Sequence, residues 1–426
     1  MEKKGDLCSM TYDINNNKYF FYDKDNKQLD PIFENYFACI LLGIIGDIIG
    51  FGNGDMEFYF KDKEYNIKNN DDEFNNTIID LTNFLIYEFL FSESTSKYNF
   101  KSHTYSDDTL LLLANLKSLI NDFKDGRELY INTSNIYLDF FKDEDLMIKK
   151  YKAGVKTIES LRKIKNGISW KNFTYDIKAG GSGASMKSSV FGLAFHNPSH
   201  IYLLIESVIE TTAITHNNAI AFLGAFTNAL FTSYAIQKIP ILRWGYELVS
   251  LLSMDDNPVD TYIMKNHEKN YQYYLKDKQI FLDKFNRYLE DNFLEYEYVQ
   301  YDSIRSIIPG KRILYFFDNF SQKNKFNPGS GSDDSVIFAY DSVILSRGNF
   351  EKLIYLSMLN LGDSDTIGMI AGNLYGAYYG FKNVYLNYIF NDDIMDNFII
   401  KLMDNKNIID SIYLLFNKYY NKNIKL

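Results

Sequence analysis

The stretch Gly362-Asp363-Ser364-Asp365-Thr366-Ile367-Gly368-Met369-Ile370-Ala371-Gly372-Asn373-Leu374-Tyr375-Gly376-Ala377-Tyr378-Tyr379-Gly380 has apolar residues at helical spacing and a glycine at every fourth position from 368. Each glycine inside a helix costs about 1 kcal/mol relative to alanine. The row at 368, 372, 376 and 380 therefore predicts a second backbone lying against this helix. Gly46, Gly50 and Gly54 repeat the spacing in an earlier apolar run. Asp47, Asn373 and several tyrosines interrupt the two runs, which excludes a membrane-dimer reading of the small residues. Tight helix packing in one core is the expectation.

Other runs with apolar residues recurring at three and four cover 79–93, 109–123, 134–164, 201–237, 279–292, 334–347 and 351–361. Sustained alternation is scarce, and no repeat period or Pro/Gly-rich linker divides the chain. The pattern predicts a single compact all-α domain over 31–426, preceded by an extension or small hairpin at 1–30. Polar, charge-rich stretches near 61–78 and 255–278 read as surface insertions.

Composition narrows the function. The chain has 426 residues, 46% hydrophobic and 23% charged, which excludes wholesale disorder. Its 45 Lys+Arg against 55 Asp+Glu give a net charge of −10, so a nucleic-acid-binding surface is not expected. Cys8 and Cys39 are too few for a disulfide framework and suit a reducing compartment. No apolar leader follows Met1–Lys4, and the most apolar run, Tyr36–Gly46, is shorter than the roughly 20 residues of a membrane span. A cytoplasmic monomer without membrane or nucleic-acid partners is expected.

Two acidic clusters stand at helix starts. One is Ser106-Asp107-Asp108-Thr109 before Leu110–Ile120; the other is Asp363-Ser364-Asp365-Thr366 before Ile367–Gly380. Each suits an N-cap with acids complementing the helix dipole. Together, four aspartates brought to one point would repel unless cations neutralise them, and oxygen ligands favour Mg²⁺ or Mn²⁺ over zinc. The loop Ala179-Gly180-Gly181-Ser182-Gly183-Ala184-Ser185-Met186-Lys187 fits either a plain flexible loop or a cradle for a phosphate. His216 sits where the 201–237 run breaks, either as a satisfied core residue or as a site residue.

Taken in order, Gly46-Asp47-Ile48-Ile49-Gly50, Glu57, Ser106–Thr109, the Gly180–Lys187 loop, Thr215-His216 and Gly362–Gly368 resemble the ADP-ribosylglycohydrolase family. Asn53-Gly54 through Glu57-Phe58, Ala229–Ala235 and Ala339-Tyr340-Asp341 resemble its ADP-ribosylarginine hydrolase branch. The resemblance covers roughly 32–385 and implies an all-α fold with a two-metal centre. It implies two Mg²⁺ ions, with Mn²⁺ as substitute, held by Ser106, Asp107, Asp108, Asp363, Asp365 and Thr366. It further implies catalytic roles for Asp107, Asp108 and Glu57, and substrate binding by Gly180, Gly181, Ser182, Gly183 and His216. The implied activity is hydrolytic release of ADP-ribose from a protein, with arginine as the acceptor. Serine-linked or other O-linked ADP-ribose, or a non-catalytic role on the same fold, are the alternatives. Ser182 and Ser185 stand where relatives often carry Asn or Ala, and Asp333 replaces a histidine of the arginine branch.

Overall fold

Apolar residues occupy every face of Phe33–Phe51, so this helix, α1, can only be central, and all but two of its residues are buried. The computed structural model describes residues 2–59, 72–93, 96–293, 308–321, 327–394 and 397–421. Before α1 lies a three-stranded antiparallel sheet, β1 (Glu2–Lys4), β2 (Cys8–Asp13) and β3 (Lys18–Asp23), with Cys8 facing Asp23 and Asp13 facing Lys18. Cys8, Met10 and Phe21 point into the core, while Asp410 accepts the N–H groups of Asp6, Leu7 and Cys8 at 2.7–3.0 Å. The N-terminal segment is thus a small sheet anchored to the far end of the chain.

Everything else described is helical or irregular. After α1 come α2 (Asp72–Glu88) and α3 (Asp107–Ile120). The apolar run at 134–164 is three helices rather than one: α4 (Gly126–Phe140), α5 (Glu144–Lys149) and α6 (Val155–Lys165). Asp125 and Asp143 start the first two by accepting the N–H of Glu128 and Leu146, which periodicity alone does not reveal. Next are α7 (Ser189–Ala194), α8 (Ile201–Ala213) and α9 (Ala219–Ile236). Asn218 caps α9 through the N–H of Ile220 at 2.8 Å, so the 201–237 run breaks at His216.

The polar 255–278 stretch is also helical. Following α10 (Trp244–Ser253), it forms α11 (Pro258–Asn266) and the start of α12 (Tyr271–Asn292), and it contributes Val259, Ile263 and Tyr274 to the core. Most of the 61–78 stretch lies outside the described residues. The chain continues through α13 (Pro309–Asn319), α14 (Ser332–Ser346), α15 (Phe350–Leu353), which runs on into a wide π-type turn, and α16 (Ser364–Tyr379).

The glycine stripes do meet. Helices α1 and α16 run antiparallel so closely that a Cβ on Gly46 would lie 2.1 Å from the Gly368 carbonyl oxygen. One on Gly50 would lie 2.2 Å from the Ser364 oxygen, and one on Gly372 2.1 Å from that of Leu42. Gly376 abuts Ala38 at 2.3 Å. The stripes are shorter than their spacing suggests. Gly52, at positive φ, ends α1 and Gly54 lies in the turn that follows, while Gly380, also at positive φ, ends α16, so neither Gly54 nor Gly380 lines the seam. By length and hydropathy, Phe33–Gly54 and Ala219–Ile236 could span a membrane, longer than the Tyr36–Gly46 run indicates. Here 83% and 89% of their most apolar windows are buried within the domain.

Candidate active site

The site is assembled on Asp47, a wholly buried carboxylate in the apolar interior of α1. Its oxygens accept the N–H of Ser106 at 3.1 Å each and the N–H of Thr109 at 3.1 Å, and the Thr109 hydroxyl donates to it as well. Three donors from the first turn of α3 therefore hold that turn against α1. Ser106 also caps α3, its hydroxyl oxygen accepting the N–H of Asp108 at 3.1 Å. Asn53, in the turn after α1, donates to the Ser102 carbonyl and accepts the N–H of Thr104, both at 2.8 Å.

The second cluster arrives along the seam. The Ser364 hydroxyl donates to the Gly50 carbonyl at 2.6 Å, closing the mouth end of the α1–α16 contact. Thr366 donates to Asp108 at 2.9 Å, and Ser106 is within hydrogen-bonding reach of Asp365. The N–H of Phe58 donates to the Gly362 carbonyl at 2.8 Å, which brings half-buried Glu57 alongside. One oxygen each from Glu57, Asp363 and Asp365 lie within 4.8 Å of one another. Clusters about 255 residues apart in sequence thus converge, and Ser106, Asp107, Asp108, Asp363, Asp365, Thr366 and Glu57 stand in one place.

The electrostatics follow from burial. Desolvation first, then neighbouring carboxylates, push Asp47 and Asp107 up to about 7. The same causes hold Asp108 and Asp363 well above the ordinary carboxylate range, and burial also raises Asp365. Among the described residues, no lysine or arginine forms an ion pair with these four candidate ligands; Lys187 acts on Asp107 only at longer range. A buried, crowded, oxygen-only set with two hydroxyls fits hard divalent cations such as Mg²⁺ or Mn²⁺.

The glycine loop reaches this cluster by a route the sequence does not disclose. The Ser182 hydroxyl donates to Asp363 at 2.7 Å and its N–H to the Ser330 carbonyl at 2.9 Å. Ser182 thus links the loop to a candidate metal ligand and to the neighbouring loop. Gly181 bridges to Gly331, whose loop is held by Asp334 accepting the N–H groups of Gly329 and Gly331. Asp333 is occupied by Lys284. A Cβ on Gly183 would lie 3.1 Å from His216 Cε1, so His216 faces this loop. His216 is buried and its pKa falls to about 3, through desolvation and then the nearby Lys187.

Asp47 is the important residue that pattern reading passed over as a candidate. Its signal was an acid in the apolar interior of a helix, a group that burial makes costly unless donors surround it.

Comparison with known proteins gives the family of the chain. The ADP-ribosylglycohydrolase family model matches residues 28–390. A protein of Acanthamoeba polyphaga mimivirus named as an ADP-ribosyl glycohydrolase is 32% identical over 340 residues, covering 79% of this chain and 62% of its own length. The chain thus spans under two thirds of that relative. The ADP-ribosylhydrolase ARH1 of Dictyostelium discoideum is 29% identical over 370 residues, covering 82% of this chain and 88% of that protein. A solved ADP-ribosylglycohydrolase-related protein complex overlays with a TM-score of 0.47 at 13% identity, over 91% of this chain and 99% of the other. With the family model spanning most of the sequence and both acidic clusters inside it, the chain belongs to the ADP-ribosylglycohydrolase family.

Proposed function

We propose that the protein is a divalent-cation-dependent hydrolase that releases ADP-ribose from modified protein side chains, with ADP-ribosylarginine as the substrate. The observation that carries this reading is the convergence of Glu57, Asp107, Asp108, Asp363 and Asp365 from three distant segments on one buried, crowded, oxygen-rich site. Ser106, Asp107, Asp108, Asp363, Asp365 and Thr366 would hold two ions. When bound, such ions neutralise the cluster, orient adjacent ribose hydroxyls and acidify a water.

The remaining work falls to side chains. Glu57, half-buried at the mouth, suits the acceptance of a proton from the attacking water. Asp107 and Asp108 share ligation with proton traffic. In the reaction the anomeric C–N bond breaks through an oxocarbenium-like transition state, water oxygen adds to that carbon, and the departing guanidine takes up a proton. The Gly180–Gly183 loop and His216 would receive the diphosphate part of the substrate.

The test is incubation with arginine-, serine- and poly-linked ADP-ribose, with Mg²⁺ or with EDTA, followed by mass analysis. Intact ADP-ribose from the arginine conjugate, lost in EDTA, is expected. AMP and ribose phosphate would identify a pyrophosphatase instead. Release from the serine conjugate alone would reassign the acceptor, and no product from any conjugate would mark a non-catalytic member of the family.

A further inference from the structure

Lys187 is a buried lysine for which the proposed chemistry has no use. Its side chain is only 1% exposed, its Nζ donates to the Thr215 hydroxyl at 2.6 Å, and it lies 5.1 Å from the centre of the Tyr137 ring. Its backbone is fixed as well. Asn115 on α3 donates to the Lys187 carbonyl at 2.8 Å, and Tyr137 donates to Asn115 at 2.6 Å. Thr215 is bonded onward, its Oγ1 lying 2.8 Å from Nδ1 of His216.

Hydrogen-bond arithmetic fixes the direction of this chain. An ammonium has donors and no acceptor, so the Thr215 oxygen must accept from Lys187. The Thr215 proton then has two destinations, the His216 nitrogen at 2.8 Å or the Thr212 carbonyl at 3.4 Å. The nearer one wins, because a hydroxyl polarised by an ammonium is a stronger donor and bonds weaken at the longer separation. His216 Nδ1 is then the acceptor, and the ring proton sits on Nε2. That nitrogen is the one turned to the glycine loop, 3.3 Å from where a Gly183 Cβ would be.

We propose that Lys187 is a positioning residue which, through Thr215, locks His216 as the Nε2–H tautomer and so presents a neutral N–H donor to the anion-binding face of the Gly180–Gly183 loop. The opposite tautomer would turn a lone pair towards a phosphate oxygen. Burial lowers the Lys187 pKa to about 7 while Asp107 opposes the fall, so the side chain is an ammonium at pH 6, where it adds to burial in keeping His216 unprotonated. The tautomer stands on the residues alone; its use for ADP-ribose rests on the proposed function.

The test uses the full chain labelled with ¹⁵N-histidine at pH 6. The chain has five histidines, and the His216 signals are assigned by their loss in His216→Gln. Long-range ¹H–¹⁵N spectra should show a protonated Nε2 and a bare Nδ1. Lys187→Met and Thr215→Val should mix the tautomers and weaken ADP-ribose binding, measured by calorimetry, about 5- to 10-fold, the worth of one hydrogen bond. Thr215→Ser keeps the hydroxyl and should keep both properties, which separates the relay from packing even where Lys187→Met fails to fold. A protonated Nδ1 in the wild type, or an unmixed Nε2–H tautomer in Thr215→Val, would overturn the proposal. If the wild type binds no ADP-ribose, the functional reading falls, and the spectra still decide the tautomer.

Discussion

The two ends of the α1–α16 contact are built on opposite rules. From Ala38 to Gly46, against Gly368 to Gly376, side chains are removed so that backbone packs on backbone. Gly50 and Ser364 are the last close contact of that kind, and just beyond them the same helices carry a cluster in which buried carboxylates crowd together. The first region gains stability from close packing. The second spends it, because buried like charges repel when no cation is present. The contrast teaches that the seam is what keeps the mouth together: the contact that brings Gly368 onto Gly46 also carries Asp365 to Asp47 and Asp108.

The largest expected effect breaks the mouth without touching the seam. Asp365→Asn removes one charge at nearly constant size, and ADP-ribose release should fall roughly 100- to 10,000-fold, a loss of several kcal/mol of electrostatic stabilisation. Its metal-free melting temperature should equal or exceed that of the wild type. Release at the wild-type rate would remove Asp365 from the set of metal ligands.

Gly376→Leu does the reverse. The side chain meets the Ala38 backbone at a place where even a Cβ would clash, so about 3 kcal/mol of stability or more should be lost. Urea unfolding of the variant superimposing on the wild type would show that the seam yields easily and does not hold the mouth.

Metal and pH sharpen the comparison next. In EDTA, folding raises the pKa of Asp47 and Asp107 from near 3.8 to about 7, so the folded state binds protons that the unfolded chain has released. Stability from these groups is fully present below about pH 4 and is lost as pH climbs through 7. Mg²⁺ competes with those protons. The stabilisation on adding Mg²⁺, read as a rise in melting temperature, should therefore grow between pH 4.5 and 7.5, reaching about 2.7 kcal/mol at 100 times the dissociation constant. A gain that shrinks with rising pH would exclude carboxylate ligation.

The smallest effect belongs to the loop. Because the Ser182 hydroxyl donates to Asp363, Ser182→Ala should cost about 1 kcal/mol in Mg²⁺ binding, read by isothermal titration. An unchanged Mg²⁺ affinity with weakened ADP-ribose binding would return the serine to the phosphate.

What could be read in the sequence was whatever repeats locally. Glycines four apart announced the seam, and paired acids at helix starts announced the two clusters. Their meeting required the family resemblance, since nothing in local periodicity relates Asp108 to Thr366. Asp47 escaped notice as a candidate because a buried acid and an exposed one look alike until donors such as Ser106 and Thr109 are seen around it. The N-terminal sheet was legible only as an extension or a small hairpin, for a similar reason. Its inward residues Cys8 and Met10 span only three positions, and its anchor, Asp410, is some 400 residues away. The splitting of 134–164 was lost because the cap at Asp143 looks like an ordinary surface acid and Gly154, which starts the third helix, caps without a side chain.

The α1–α16 seam also sets a schedule for biosynthesis. Helix α1 is complete at Phe51, yet the partner that covers its glycine face begins at Ser364. At about 5–20 residues per second, the ribosome takes roughly 15 to 60 s to bridge that interval. For all of it, one of the most apolar helices of the protein has no seam to enter, which is the condition that recruits chaperones to nascent chains. Ribosome-bound chains stalled before Ser364 should be cut by protease within α1. Chains whose residue 380 has cleared the exit tunnel should resist, and equal cleavage of both would show that α1 finds other cover first.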